Sequence, residues 1–186
     1  MPPQVGVGSS ASALDLPRRL AYERCIQHGL PRQNGFSAAA QTVQGYEMQT
    51  AENVRSLIDR YYGAFNAGDV DGMLACVSDD VVHDVNQGER REGKERFHAF
   101  CARMGHHYSE RLENIVVMVS EDAGRAAAEF NVVGQYLETE PGLPPAAGQK
   151  YVVPAGTFFA IQDDLISRVS TYYNLTDWIR QVSNDQ

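Results

Sequence analysis

Residues 60–74 read RYYGAFNAGDVDGML. An apolar, aromatic helical face stops here at Asn-Ala-Gly-Asp, and a second apolar pattern starts at once. Gly68 is typical of the residue that follows a helix end, and Asp69 is typical of a residue that caps the next helix. The stretch therefore predicts two helices joined by a tight corner, with Tyr61 and Tyr62 near the end of the first helix.

The periodicity of apolar residues on either side of this corner predicts the remaining elements. The first helix starts near Thr50, and the second runs through Met73, Leu74 and Val77. A short strand is predicted over residues 81–85, a third helix over 94–108, and a closing helix over 175–182. Between the last two helices the period changes to two residues, which predicts four long strands over residues 113–121, 125–139, 150–162 and 165–174.

The order of these elements indicates the fold class. Helices come first and strands second, and the links between the four long strands are short, which favours an antiparallel meander. We therefore expect an α+β domain with three N-terminal helices on a curved, mainly antiparallel sheet. A curved sheet backed by helices encloses a cone, and an apolar cone is a ligand pocket.

The composition of the 186 residues excludes several classes of protein. A formal net charge of -8 argues against binding to nucleic acid and against electrostatic binding to a membrane. The longest aliphatic run, residues 115–119, is far shorter than the roughly 20 residues of a membrane helix. The three cysteines are widely spaced and odd in number, which predicts a reduced, cytoplasmic setting. His106 and His107 have no carboxylate at ligand spacing, so we expect no metal site there. We also expect no cofactor.

The first 47 residues differ from the rest in composition. Pro, Gly and Ser are frequent near the start, and arginines outnumber acidic residues. We expect a flexible or partly helical arm over residues 1–47 and a compact domain over residues 48–186. A transit peptide, a lid that is strand-swapped onto a neighbouring copy, and a start of translation at Met48 are alternatives for this arm.

The compact part resembles a known family. The stretch RYYGAFNAGDVDGMLACVSDD at 60–80 and the stretch GTFFAIQDDLISRVSTYYN at 156–174 are similar to ketosteroid isomerases and SnoaL-like polyketide cyclases. Both belong to the nuclear transport factor 2-like superfamily. The resemblance implies a cone-shaped α+β barrel and a homodimer that forms through the outer face of the sheet. It is specific for the fold and much less specific for the activity, because one fold supports many functions.

The resemblance also implies roles for individual residues. In ketosteroid isomerases a helix tyrosine and a protonated aspartic acid bind the substrate oxygen, while another aspartate moves the proton. Tyr61 matches the tyrosine. Asp84 matches the base if one residue is deleted between Asp80 and Gly93, and without that gap Val85 stands there. Gly156 stands where the protonated acid is expected, which implies a weak isomerase.

Strand periodicity refines the expected site. His83 and Asp84 are neighbours on one strand and must face opposite sides, so His83 is the substitute base if Asp84 faces outward. We expect Asp84 to have a raised pKa among apolar neighbours. Six residues are expected to bind the substrate: Tyr136, Phe130, Val132, Phe158, Tyr172 and Trp178. Val152 is a further expected lining residue.

Three functions remain open at this point. The first is proton transfer next to a carbonyl group of a small apolar substrate, giving isomerisation or cyclisation. The second is a non-catalytic domain that binds a hydrophobic ligand or forms dimers. The third is an epoxide hydrolase of the limonene type, which would need Asp84 and Arg168 to hold a water molecule.

Overall fold

The computed structural model describes residues 49–86 and 88–183. The arm expected over residues 1–47 lies outside this range. The helices are α1 (Ala51–Ala67), α2 (Val70–Ala75), α3 (Lys94–His107) and α4 (Leu175–Ser183). The strands are β1 (Val77–Val85), β2 (Arg91–Glu92), β3 (Tyr108–Val119), β4 (Arg125–Tyr136), β5 (Lys150–Gln162) and β6 (Leu165–Tyr173). Among the described residues, no helix has the length and apolar character needed to span a bilayer.

The six strands form one curved, unclosed sheet in the order β2-β1-β6-β5-β4-β3. β3 to β6 pair antiparallel in sequence order, as the short links predicted. β1 pairs with β6 in parallel, so the sheet is mixed. The expected α+β class, with helices packed on a curved sheet, is confirmed.

The corner between α1 and α2 has the conformation that the sequence predicted. Gly68 has φ 69°, a left-handed value that favours glycine, and the N–H of Asp69 donates to the carbonyl of Ala64 at 2.9 Å. The Asp69 carboxylate accepts a hydrogen bond from the backbone N–H of Gly72 at 2.8 Å. The chain therefore reverses without a linker.

Several element boundaries differ from the sequence prediction: β1 starts at Val77, β3 ends at Val119 and β4 ends at Tyr136. Val77 starts β1 instead of ending α2, because α2 stops at Ala75 and Cys76 caps it. β3 starts at Tyr108, where the backbone is already extended with φ -137° and ψ 145°. Residues 109–112 were left between the predicted third helix and the next strand, and they belong to the sheet.

The side-chain amide of Asn66 joins α1 to the sheet. Its Nδ2 donates to the carbonyl of Leu112 at 3.0 Å, and its Oδ1 accepts from the N–H of Leu112 at 2.8 Å. Leu112 lies just before the irregularity in the pairing of β3 with β4, between Glu113 and Val116. The amide thus satisfies both backbone groups of one strand residue and fixes α1 against β3.

We expect Asn66→Ala to lower the free energy of unfolding by about 2 kcal/mol, because two partly buried hydrogen bonds are lost. Asn66→Asp should be at least as damaging at neutral pH, since a carboxylate cannot donate to the Leu112 carbonyl. Urea denaturation measures both values. Asn53→Ala, at an exposed position of the same helix, is the control and should change stability little. Equal effects at both positions would contradict the role given to Asn66.

Candidate functional site

A cavity of about 1000 Å³ lies between the helices and the inner face of the sheet. Side chains from all four helices and all six strands line it, together with the loop between β4 and β5. Apolar and aromatic groups alternate with a small number of polar ones. The titratable side chains in the lining are Tyr61, Tyr62, His83, Arg91, Cys101, Arg103, Tyr108, Glu110, Glu140, Tyr151 and Tyr173.

The two neighbouring candidates on β1 lie on opposite faces of the sheet. His83 is buried and lines the cavity. Asp84 lies outside the lining, where Arg90 donates to its two carboxylate oxygens at 2.9 and 3.0 Å. The expectation that Tyr61 and Asp84 share one cavity is therefore wrong.

The electrostatics of Asp84 also differ from the expectation. Hydrogen bonds from Arg90 hold the pKa of Asp84 below its ordinary value, although an apolar setting was expected to raise it. No ion pair joins Arg168 to this carboxylate within the described residues, and the Nε of Arg168 is buried without a hydrogen-bond partner there. The Asp84–Arg168 pair that an epoxide hydrolase of the limonene type would use is therefore not formed.

His83 is enclosed by aromatic rings. The centroids of Phe97 and Phe100 lie 4.7 and 4.6 Å from its ring. Its Nδ1 is buried and has no hydrogen-bond partner in the described part of the chain. Burial, and next the charge of Arg91, lower the pKa of His83 to about 4. A neutral imidazole therefore lines the cavity, and its Nδ1 is enclosed without a partner in the described part of the chain.

The two tyrosines of α1 both line the cavity. Their rings meet edge to face at 5.4 Å, and Tyr62 packs in the same way on Phe130 at 5.4 Å. The hydroxyl of Tyr62 is buried with no partner among the described residues. Burial raises the pKa of Tyr61 and of Tyr62, so both hydroxyls stay protonated and can donate. Tyr61 thus lies in the cavity, as the resemblance implied, and its role stays a prediction.

On β5, the sequence prediction assigned the wrong face of the strand to the cavity. Val152 and Phe158 are 51% and 54% exposed and lie on the outer face of the sheet. Gly156 pairs with Glu129 and Tyr172, whose side chains also face outward. The inward residues are those between them, Val153, Ala155 and Thr157. The glycine at 156 therefore removes no donor from the cavity.

The remaining candidates divide between the cavity and its surroundings. Phe130, Val132 and Trp178 line the cavity as expected. Tyr172 is 52% exposed and packs on Phe158 outside. Tyr136 is fully buried and does not line the cavity, because its ring stacks on Tyr108 and its hydroxyl accepts from a backbone N–H.

A carboxyl group that the sequence prediction missed lies in the cavity. Tyr151 donates a hydrogen bond from its hydroxyl to Oε1 of Glu110 at 2.6 Å. Burial raises the pKa of Glu110, and the bond from Tyr151 only partly offsets this. Glu110 and Tyr151, called the Glu110–Tyr151 pair below, both line the cavity. A carboxyl with a raised pKa in a cavity is a candidate acid or base.

Gly134 makes this pair geometrically feasible. Glu110 pairs with Gly134, and Gly134 pairs with Tyr151, so the three residues form one row across β3, β4 and β5. A Cβ at position 134 would lie 2.3 Å from Cζ of Tyr151. The missing side chain on β4 therefore lets the tyrosine ring cross that strand and reach the carboxyl on β3.

The sequence contains a signal for this row, although a weak one. A glycine inside a strand pattern often marks a close approach by another group. Gly134 interrupts the apolar alternation of β4. Its position in the strand is therefore consistent with a side chain from the next strand crossing over it. Glu110 itself was hidden because β3 was predicted to start only at residue 113.

The loop between β4 and β5 is tied to the cavity wall through Glu140. This carboxylate accepts from Arg103 at 2.7 Å and from the hydroxyl of Tyr108 at 2.7 Å. At the end of α3, His107 bonds the backbone carbonyl of Glu138. No group of three metal-ligating side chains occurs within residues 49–86 and 88–183.

Comparison with known proteins identifies relatives of this chain. The family model described as a SnoaL-like domain matches residues 58–169. A protein from Silicibacter sp. TM1040, provisionally named a polyketide cyclase, is 57% identical, with 72% of this chain and 97% of that chain covered and a TM-score of 0.70. A protein of the same provisional name from Pseudomonas putida KT2440 is 56% identical, with 69% and 97% covered and a TM-score of 0.68.

A more distant structure supports the fold alone. It is a nuclear transport factor 2-like protein of unknown function from Burkholderia pseudomallei K96243. It is 16% identical, with 71% of this chain and 98% of that chain covered, and its TM-score is 0.61.

We expect His83 to make the fold sensitive to acid. The histidine pKa is about 4 in the folded state and about 6.5 in the unfolded state, so the unfolded chain binds this proton first. Stability is therefore fully present above pH 6.5 and falls as the pH drops, by about 2 kcal/mol at pH 5.

Urea denaturation between pH 7 and pH 5 measures this loss. His83→Gln should remove most of it, whereas His98→Gln, at an exposed position of α3, should keep it. An unchanged pH dependence in His83→Gln would show that the imidazole is not held neutral by its surroundings.

Proposed function

This chain belongs to the SnoaL-like domain family, and from this membership we propose that it is an enzyme that moves a proton next to a carbonyl group. The substrate is a small, mainly apolar carbonyl compound, and the product arises by isomerisation or by cyclisation of the polyketide cyclase type. The reaction needs no cofactor, because a carboxylate and hydrogen-bond donors suffice for it.

The Glu110–Tyr151 pair is the observation that carries the proposal. A general base that works near neutral pH benefits from a pKa above that of an ordinary carboxyl group. Burial raises the pKa of Glu110, and it lowers that of His83 in the same cavity lining. Titratable groups whose surroundings shift their pKa values apart are a known mark of acid–base roles.

The proposed reaction has two steps. The Glu110 carboxylate takes a proton from the carbon next to the substrate carbonyl, and the electron pair moves onto the carbonyl oxygen as an enolate. The neutral imidazole of His83 and the hydroxyl of Tyr61 are the donors proposed to stabilise this oxygen. Protonated Glu110 then returns the proton at another carbon, which isomerises the substrate. In cyclisation, the enolate carbon attacks a second carbonyl group of the same molecule, and Glu110 protonates the new alkoxide.

The outer face of the sheet supports a second proposal, that the protein is a cytoplasmic homodimer. Val116 and Met118 on β3 and Phe158 on β5 are at least half exposed and lie on the outer face of the sheet, with β4 between the two strands. Exposed apolar patches of this kind are typical of protein interfaces. Cys76 and Cys101 are both free thiols, which suits a reducing compartment.

We expect Glu110→Gln to lower the rate of proton exchange at the carbons next to the carbonyl of 2-decalone by about 100-fold or more. The amide cannot accept the proton, although it keeps the size of the carboxyl group. Proton NMR in D₂O follows the exchange. Glu113→Gln, on the same strand but outside the cavity lining, is the matched control and should keep the rate. A domain that only binds ligands would show no exchange above background in any variant.

The pH dependence of this exchange tests the same assignment. Activity should rise with pH through the pKa of Glu110, above the ordinary value of a glutamate carboxyl, because only the carboxylate accepts a proton. Tyr151→Phe removes a hydrogen bond that lowers this pKa, so the rise should move to higher pH. An acidic limb that stays in place in Tyr151→Phe would argue against Glu110 as the base.

For the homodimer, light scattering coupled to size exclusion should give twice the chain mass at low micromolar concentration. Phe158→Glu should produce monomers, since it places a charge in the apolar patch. His98→Glu introduces the same acidic group on α3 and should leave the dimer intact. A monomeric wild type would rule out the proposed assembly.

A further inference from the structure

Arg91 brings a positive charge into the lining of the cavity. It is the cross-strand partner of His83 in the antiparallel pairing of β2 with β1. Cross-strand partners share a face of the sheet, so the burial of His83 brings Arg91 to the same side. Its guanidinium lies over the ring of Phe100, with Cζ at 4.4 Å from the ring centroid. Arg91, Phe100 and His83 all line the cavity.

Within the described residues, Arg91 differs from the other cavity arginine in lacking an acidic partner. Arg103 binds the Glu140 carboxylate at 2.7 Å. The hydrogen bond of Arg91 runs from NH1 to the backbone carbonyl of Glu89 at 3.1 Å, and no carboxylate of the described chain pairs with it. An arginine that stacks on an aromatic ring keeps its planar fork of N–H donors available for a carboxylate.

A second unused polar group lies beside this arginine. His83 is 3% exposed, lines the cavity, and has no partner for its Nδ1 within the described residues. A buried polar atom without a partner is costly unless a ligand or water satisfies it. Two neighbouring groups with unused hydrogen-bonding capacity, one of them charged, therefore face the same space.

We propose that Arg91 forms a recognition site for a carboxylate group of the substrate beside His83. The guanidinium of Arg91 binds the carboxylate, and the imidazole N–H of His83 donates to the reactive carbonyl oxygen next to it, which is the role that the proposed reaction gives to this histidine. This inference rests on the proposed function and narrows its substrate class. The substrate is then an apolar ring or chain that carries both a reactive carbonyl and a carboxylate, as keto acids do.

The neighbouring arginine supplies a matched comparison. Arg90 precedes Arg91 in the chain and carries the same charge, but it faces outward and pairs with Asp84. Arg91→Gln and Arg90→Gln therefore change the net charge equally, but only Arg91→Gln removes a charge from the cavity, while Arg90→Gln removes the outer ion pair with Asp84. Trp178 is the single tryptophan of the sequence and lines the cavity, so its fluorescence reports binding without any assay of turnover.

The experiment compares two probes of nearly equal shape, decalin-2-carboxylate and the neutral ketone 2-acetyldecalin. We expect the wild type to bind the carboxylate about tenfold or more tightly than the ketone, because charge-assisted hydrogen bonds form only with the carboxylate. Arg91→Gln should remove this preference while leaving the affinity for the ketone within about twofold. Arg90→Gln should keep the preference. Arg91→Lys, which keeps the charge but loses the planar fork, should retain part of it.

Several outcomes would overturn the inference. Equal binding of both probes by the wild type would show that the cavity has no carboxylate site. The proposed proton transfer would not be affected, because the exchange of 2-decalone tests it separately. An equal loss of preference in Arg90→Gln and Arg91→Gln would indicate a general charge effect. If neither probe binds while 2-decalone exchange is catalysed, the carboxylate site alone fails. If exchange is also absent, the proposed function fails with it.

Discussion

Alternation of side chains between the two faces of a strand is the constraint on which the site depends. On β1 it turns His83 into the cavity and Asp84 outward. Strand pairing places Arg91 of β2 on the same face as His83, whereas Arg90, just before β2, binds the outward Asp84. A shift of one residue in this pairing would exchange every one of these groups. The register of the strands therefore decides which side chains line the cavity.

The amide of Asn66 and the glycine at 134 both support the cavity wall near β3. Asn66 fixes α1 against Leu112, which faces the cavity on β3 just two residues beyond Glu110. Gly134 leaves open the space through which Tyr151 reaches Glu110. Asn66 holds the backbone of β3 against α1, and Gly134 leaves space for the ring of Tyr151. Neither has a side chain with acid–base chemistry at neutral pH.

Sequence periodicity could predict the fold because it depends on patterns that repeat over many residues. The helix corner at Gly68 and Asp69, the four long strands and their antiparallel order all follow from such patterns. The site depends on single-residue choices, which periodicity fixes poorly. Both faces of β5 carry apolar residues, so its alternation gave no sign of which face is buried, and Phe158 was placed inside. Glu110 was missed because a strand start was misplaced.

The cavity also shows why residue type alone is a poor guide to an acid–base site. Asp84 has the expected functional group, but Arg90 donates to both of its oxygens and lowers its pKa. The carboxylate is therefore ionised and already paired. Glu110 has the same functional group, but burial with a single neutral donor raises its pKa. The two carboxyls differ in burial and in partner: Asp84 binds a cation outside the sheet, and Glu110 is buried inside it with a phenol that only partly offsets the effect of burial. A base that must bind its proton reversibly needs the second environment, since a guanidinium would hold the carboxyl in its charged form.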